Sequence, residues 1–217
     1  MSICVRVGGK LINIGSALSE RRIPIQGVYS ASKAAVMGFT DALQMELAQN
    51  NAPVSVSLIK PGAIDTPYKD RAANYMGVEG KNLPPVYAPE TVATAILFSC
   101  EHHNRDTVVG AGGKAITILG NLIPGFSDKV MGKVMPKLQR TNKPIDGVRK
   151  GSLYEPGEDL EERGGYDMTR ERSYYSTAVR HKYLTTCVVL GVAAAAYMAS
   201  RARNHNGDRG FRGNRLH

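Results

Sequence analysis

A hydroxyl, a phenol and an amine stand close together near the start of this chain. "NIGS" closes at Ser16, and "YSASK" begins thirteen positions later with Tyr29 and ends at Lys33. On a helix, residues four apart share one face, about 5–6 Å from each other at Cβ. An ammonium so close to Tyr29 favours the phenolate. Such a phenol can give a proton to a carbonyl oxygen or take one from an alcohol. Ser16 can offer the same oxygen a second hydrogen bond, stabilising charge that develops there during hydride transfer. Taken alone, Tyr29 and Lys33 also read as a tyrosine at the edge of a core beside a solvated lysine.

These side chains meet only if particular elements carry them. "KLINI" (10–14) is a short apolar run ending at Gly15-Ser16, as a buried parallel strand would. "VYSASKAAVMGFTDALQMELAQN" then places Val36, Phe39, Leu43 and Leu47 at spacings of three and four, predicting a long helix. "VSVSLI" (54–59) predicts a second strand, broken by "KPGAIDTPY". A helix starts at Pro89, where a first turn tolerates proline. "DTVVG" (106–110) predicts a third strand, and two helical pieces follow, divided at Pro124. This alternation is that of an α/β fold, a parallel sheet with helices on its faces.

"NIGS", "YSASKAAV" and "IKPGAIDTPY" in this order closely resemble the short-chain dehydrogenase/reductase family, over residues 9–125. The resemblance implies catalytic roles for Ser16, Tyr29 and Lys33, with Tyr29 and Lys33 also facing the cofactor and Lys33 holding the nicotinamide ribose. It places Pro61, Gly62, Ile64 and Thr66 around the nicotinamide. The implied cofactor is NAD or NADP, and the implied substrate is a small alcohol or carbonyl compound. Read without the resemblance, Pro61-Gly62 is an ordinary turn and Thr66-Pro67 an ordinary helix start.

The family's glycine-rich loop joins its first strand to its first helix and seats the pyrophosphate. No GxxxGxG stretch precedes Ser16. "VGGK" (7–10) leads into a strand, and "VGAGGK" (109–114), which follows the catalytic residues, reads as a tight turn. The resemblance therefore implies the C-terminal part of such an enzyme. Its phosphate-binding loop and its catalytic asparagine would lie in an absent N-terminal half. The expected architecture is an incomplete Rossmann-like sheet of about three strands. Residues 10–14 should expose an unpaired edge. Met1–Val7 is expected to stand outside the ancestral register.

Composition bounds the remainder. The formal charge is +9, yet Arg201, Arg203, Arg209, Arg212 and Arg215 face only Asp208 in the final stretch, which describes a basic tail rather than a basic domain. With no aromatic residues interleaved in a binding module, nucleic acid is not an expected partner. Cys4, Cys100 and Cys187 lack metal-ligand spacing, so no metal site is expected, and the chain reads as cytoplasmic. From Tyr183 to Ser200 no charge occurs, and as a helix this stretch reaches about 27 Å, close to a bilayer core of about 30 Å. It reads either as a membrane anchor or as a helix packed on protein. The expected domains are residues 1–139, a linker 140–169 that is loose, an apolar helix 170–203 whose pattern begins at Thr169, and a tail 204–217. The function expected is NAD(P)-dependent oxidation or reduction of an alcohol or carbonyl, competent only with the N-terminal, cofactor-binding half restored. The alternative is a noncatalytic remnant or membrane-associated interaction protein, and a homo-oligomer fits either.

Overall fold

In the computed structural model, which describes residues 8–148, 151, 152, 156 and 161–212, the predicted apolar runs become a three-stranded parallel sheet. β1 (Gly9–Ile14) pairs with β2 (Val54–Pro61) in the register Gly9 to Val54 through Ile14 to Ile59. On its other side β2 pairs with β5 (Asp106–Val109), Leu58 opposite Asp106 and Pro61 opposite Val109. The order β1-β2-β5 leaves β1 at an edge, with no further strand beside it among the described residues.

Helices cover both faces of the central strand, and that is why β2 reads as a continuous run rather than an alternation. Val56, Ser57, Leu58, Ile59 and Lys60 are all buried in succession. α1 (Gly27–Gln49) connects β1 to β2, and α3 (Pro89–Glu101) lies ahead of β5. Ile59, Val109 and Ala95 form the core cluster, with Ile12, Val92 and Ile96 packed against it. Enclosing a side chain such as Leu58 or Ile59 contributes about 1.5–3 kcal/mol each.

The apolar stripe of α1 is only partly inside. Leu43 is buried, but Phe39 is 63% exposed, and the neighbouring Thr40 is buried instead. A polar contact sets the face: Thr40 Oγ1 donates to Val36 O and accepts from Asn13 Nδ2 of β1 at 2.9 Å. Hydrophobic spacing identified the helix, and this polar contact accompanies the rotation that leaves Phe39 outside.

Short elements complete this part of the chain. α2 (Tyr68–Arg71), β3 (Val78–Gly80) and β4 (Val86–Tyr87) lie between β2 and α3. After β5 come α4 (Ala111–Leu122) and α5 (Pro124–Leu138), divided at Pro124 as predicted. The described residues of 140–170, expected as a loose linker, include two strands. β6 (Arg140–Pro144) pairs antiparallel with β3, and β7 (Thr169–Arg170) pairs parallel with β4. Lys, Arg, Gly and Pro suggested looseness there, but partners far back in the sequence supply the missing hydrogen bonds.

The chain divides into two compact units, Met1–Ser176 and Thr177–His217. α6 (Tyr174–Arg180) and α7 (Lys182–Arg212) replace the single helix expected from Thr169. No helix among the described residues is long and apolar enough to cross a membrane. The span expected over 183–200 is thus not supported: Thr185, Thr186, Gly191 and four alanines dilute its apolar character. Tyr183, Leu184, Val189 and Tyr197 on this helix are all exposed.

Candidate functional site

β1 delivers Ser16. Gly15 continues the ladder by donating to Ile59 O at 2.8 Å, and Ser16 follows in extended backbone at the head of a 3-10 turn, Ala17–Ser19. Its side chain is buried, and Oγ accepts from Leu18 N at 3.1 Å. That bond uses a lone pair and leaves the hydroxyl proton to be donated elsewhere.

α1 delivers Tyr29 and Lys33 one helical turn apart. Lys33 Nζ donates to Ile14 O at 3.1 Å, tying the helix to the tip of β1, and lies 6.0 Å from the centroid of the Tyr29 ring. An ammonium has three donors, so this tether leaves others for a ligand. The Tyr29 ring also meets that of Tyr68 at 5.5 Å between centroids, inclined by 55°. Burial, with a further contribution from Tyr29, pushes the Tyr68 phenol up from its ordinary value, so Tyr68 keeps its proton.

The third group comes from the end of β2. Gly62 N donates to Val109 O at 2.8 Å, and a Cβ on Gly62 would stand 3.3 Å from that oxygen. Ile64 bridges to Tyr87, and Thr66 N donates to Ile64 O. Ser16, Tyr29, Lys33, Pro61, Gly62, Ile64 and Thr66 all line one cavity of about 280 Å³. Residues spread over fifty positions of sequence are therefore brought to a single space.

Further residues of that space were not singled out from sequence. Tyr68 and Asn82 line it, as do Gly112 and Gly113. The stretch 109–114, expected as a tight turn only, turns at Gly110, whose φ is +97°, and then starts α4. A Cβ on Gly112 would approach Pro85 at 3.0 Å, and one on Gly113 would strike Ala17. These glycines let a helix start pass close to the cavity wall. The paired glycines after a strand were the available signal.

Asp65 was also missed. It lies between Ile64 and Thr66 with its carboxylate buried, accepting from Gly164 N at 2.9 Å, Tyr166 N at 3.3 Å and Thr169 Oγ1 at 2.9 Å. Arg163 stands 4.0 Å away and pairs also with Glu90 and Glu171. Segment 163–170 thus clasps the back of the strip that presents Ile64 and Thr66 to the cavity. Only the presence of an acid within "GAIDTP" hinted at it.

Behind Ser16 sits a second buried charge. Lys60 Nζ, 5% exposed, contacts Glu20 Oε1 at 2.5 Å and Asp106 Oδ2 at 3.5 Å, while Lys114 reaches Glu20 at 3.9 Å. Burial raises the Glu20 carboxyl, but the hydrogen bond and charge of Lys60, with Lys114 and Thr117, outweigh it and hold Glu20 below its ordinary value.

Residues 2–75 match the family profile described as short chain dehydrogenase. The chain belongs to the short-chain dehydrogenase/reductase family. The match takes in residues 2–7, which were expected to stand outside the family register; their structure lies outside the described residues. This family member is 40% identical over 199 residues to the uncharacterized oxidoreductase YxnA of Bacillus subtilis, covering 91% of this chain and 56% of YxnA. It is 39% identical over 94 residues to carbonyl reductase family member 4 of Danio rerio, covering 43% of this chain and 39% of that protein. The chain thus spans about half the length of the curated relatives it matches. A short chain dehydrogenase from Burkholderia cenocepacia, solved in complex with NADP, shares 25% identity and a TM-score of 0.49, covering 60% of this chain and 50% of its own.

Proposed function

We propose that this protein is an NAD(P)-dependent oxidoreductase that moves a hydride between the nicotinamide and the carbon of a small alcohol or carbonyl compound. The observation that carries the reading is the convergence of Ser16, Tyr29 and Lys33 on one cavity. Its supports are the family membership and the relatives named as oxidoreductases and reductases.

The lining suits a nicotinamide riboside. Ile14, Ile64 and Ile116 offer apolar walls, Lys33 and Thr66 offer donors, and glycines at 62, 112 and 113 keep the wall clear of side chains. When bound, the nicotinamide would supply or accept the hydride. Tyr29 gives its hydroxyl proton to the carbonyl oxygen in reduction and takes the alcohol proton in oxidation. Ser16, its oxygen already engaged by Leu18 N, donates to the same substrate oxygen and stabilises the charge that develops there. Lys33, held at Ile14 O, sets an ammonium beside Tyr29 and would hold the ribose hydroxyls with its other donors. Tyr68 packs against the Tyr29 ring at a tilt and limits its movement.

The reacting domain in this reading extends past residue 139, because 163–170 closes on Asp65 behind the nicotinamide wall. Cys100 and Cys187 are free thiols, which suits a reducing cytoplasm. The test is calorimetric titration of the 217-residue chain with NADH and with NADPH. Saturable binding weakened by Lys33→Ala is the expected result; no saturable binding of either nucleotide refutes the proposal.

A further inference from the structure

A second cavity, about 850 Å³, lies next to the first and shares Gln26, Tyr29, Tyr68 and Asn82 with it. Tyr29, the proposed reacting phenol, therefore lines both spaces. Its size falls in the range of pockets that enclose a small organic molecule.

The walls are anchored. Gln26 Nε2 at the head of α1 donates to Gln139 Oε1 at 2.8 Å, and the buried Gln139 donates in turn to Pro24 O at 3.0 Å. Lys81 N donates to Gln139 O at 2.9 Å, and Thr141 Oγ1 donates to Glu79 O at 3.0 Å, so β3 and β6 are fixed to that floor. Val28 and Tyr75, 87% and 79% exposed, lie along the opening and supply apolar surface.

The charged residues that line this space have one sign. Lys69, Lys81 and Arg140 line it, and among the described residues that line it there is no Asp or Glu. Lys69 stands 4.4 Å over the Tyr166 ring, whereas the Lys81 and Arg140 side chains are exposed at the mouth. Cations gathered without carboxylates around a low-dielectric concavity raise the local concentration of anions.

We infer that the substrate of this site has an apolar body bearing an anionic group, carboxylate or phosphate, which Lys81 and Arg140 receive while the body lies along Tyr75 and Val28. The inference rests on the oxidoreductase reading, since that reading makes Tyr29 the end of the cavity where the carbonyl reacts.

Calorimetric titration of the full chain with octanoate, octyl phosphate and 1-octanol tests it. At low salt at least one of the two anions should bind about tenfold more tightly than octanol, and the preference should shrink as added salt screens it. The arm that binds more tightly identifies carboxylate or phosphate. The double variant Lys81→Gln, Arg140→Gln should bring the anions to the affinity of octanol and leave octanol unchanged. Octanol binding as well as both anions, no binding of either anion, or an undiminished preference in the double variant would each overturn the inference. The wild-type comparison decides even if the variant does not fold. Failure to bind NADH and NADPH would instead overturn the oxidoreductase reading, and the two failures come from separate titrations.

Discussion

The backbone N–H of Gly164 donates to the buried carboxylate of Asp65 at 2.9 Å, across 99 positions of sequence. The same carboxylate satisfies Tyr166 N and the Thr169 hydroxyl. Asp65→Ala strands three donors at once and should cost about 3 kcal/mol of unfolding free energy, measured by urea denaturation. Gly164→Ala should act in the same direction, because its Cβ would strike the Thr66 carbonyl. A loss below about 0.5 kcal/mol for both would show that the clasp adds nothing to stability.

One substitution should change sign with place. At Gly113 a Cβ would strike Ala17, so Gly113→Ala should destabilise and narrow the cavity. Nothing stands within 4 Å of a Cβ at Gly38 in the body of α1. Gly38→Ala should stabilise by about 0.5–1 kcal/mol. Thermal melts of the two variants beside wild type check the contrast, and equal shifts in one direction would contradict it.

Acid should act through Glu20. Its carboxyl is held low in the folded chain, so the stabilisation it supplies is present above the unfolded value. That contribution is lost as pH falls through the ordinary carboxylate range near pH 4 and on through the folded value. Glu20→Gln should lower the melting temperature at pH 7, leaving Lys60 the longer contact to Asp106, and should flatten the acid limb. Calorimetric melts between about pH 3 and 7 would reveal it; parallel curves for the two proteins would exclude the role.

In a turnover assay with a nicotinamide cofactor, Tyr29→Phe should reduce kcat by about 10³ while nucleotide affinity stays near wild type. Lys33→Ala should harm both quantities, because it removes the charge beside Tyr29 and the tether to Ile14 O. Normal turnover by Tyr29→Phe would remove Tyr29 from the proton path.

What could be read from sequence was local. Tyr29 and Lys33 share a helix whose four-residue spacing is fixed, and Ser16 ends a strand whose apolar run is visible, so their common cavity could be anticipated. The exposure of Phe39 could not, because the Asn13–Thr40 bond that rotates α1 joins two elements through polar side chains. Asp65 escaped notice for a stronger reason: two of its three hydrogen-bond donors are backbone amides, which carry no signature in the residue types. The strands within 140–170 were hidden likewise, since each has its partner in 78–87.

The reach of Asp65 also sets an order of events during synthesis. Its carboxylate leaves the ribosome long before Gly164, Tyr166 and Thr169 do. Until then water must serve it, and Ile64 and Thr66 are carried on a strip without backing. That part of the cavity wall can thus take its final form only when translation has passed Thr169, so a nascent chain stalled earlier would hold every proposed reacting group without the brace behind it.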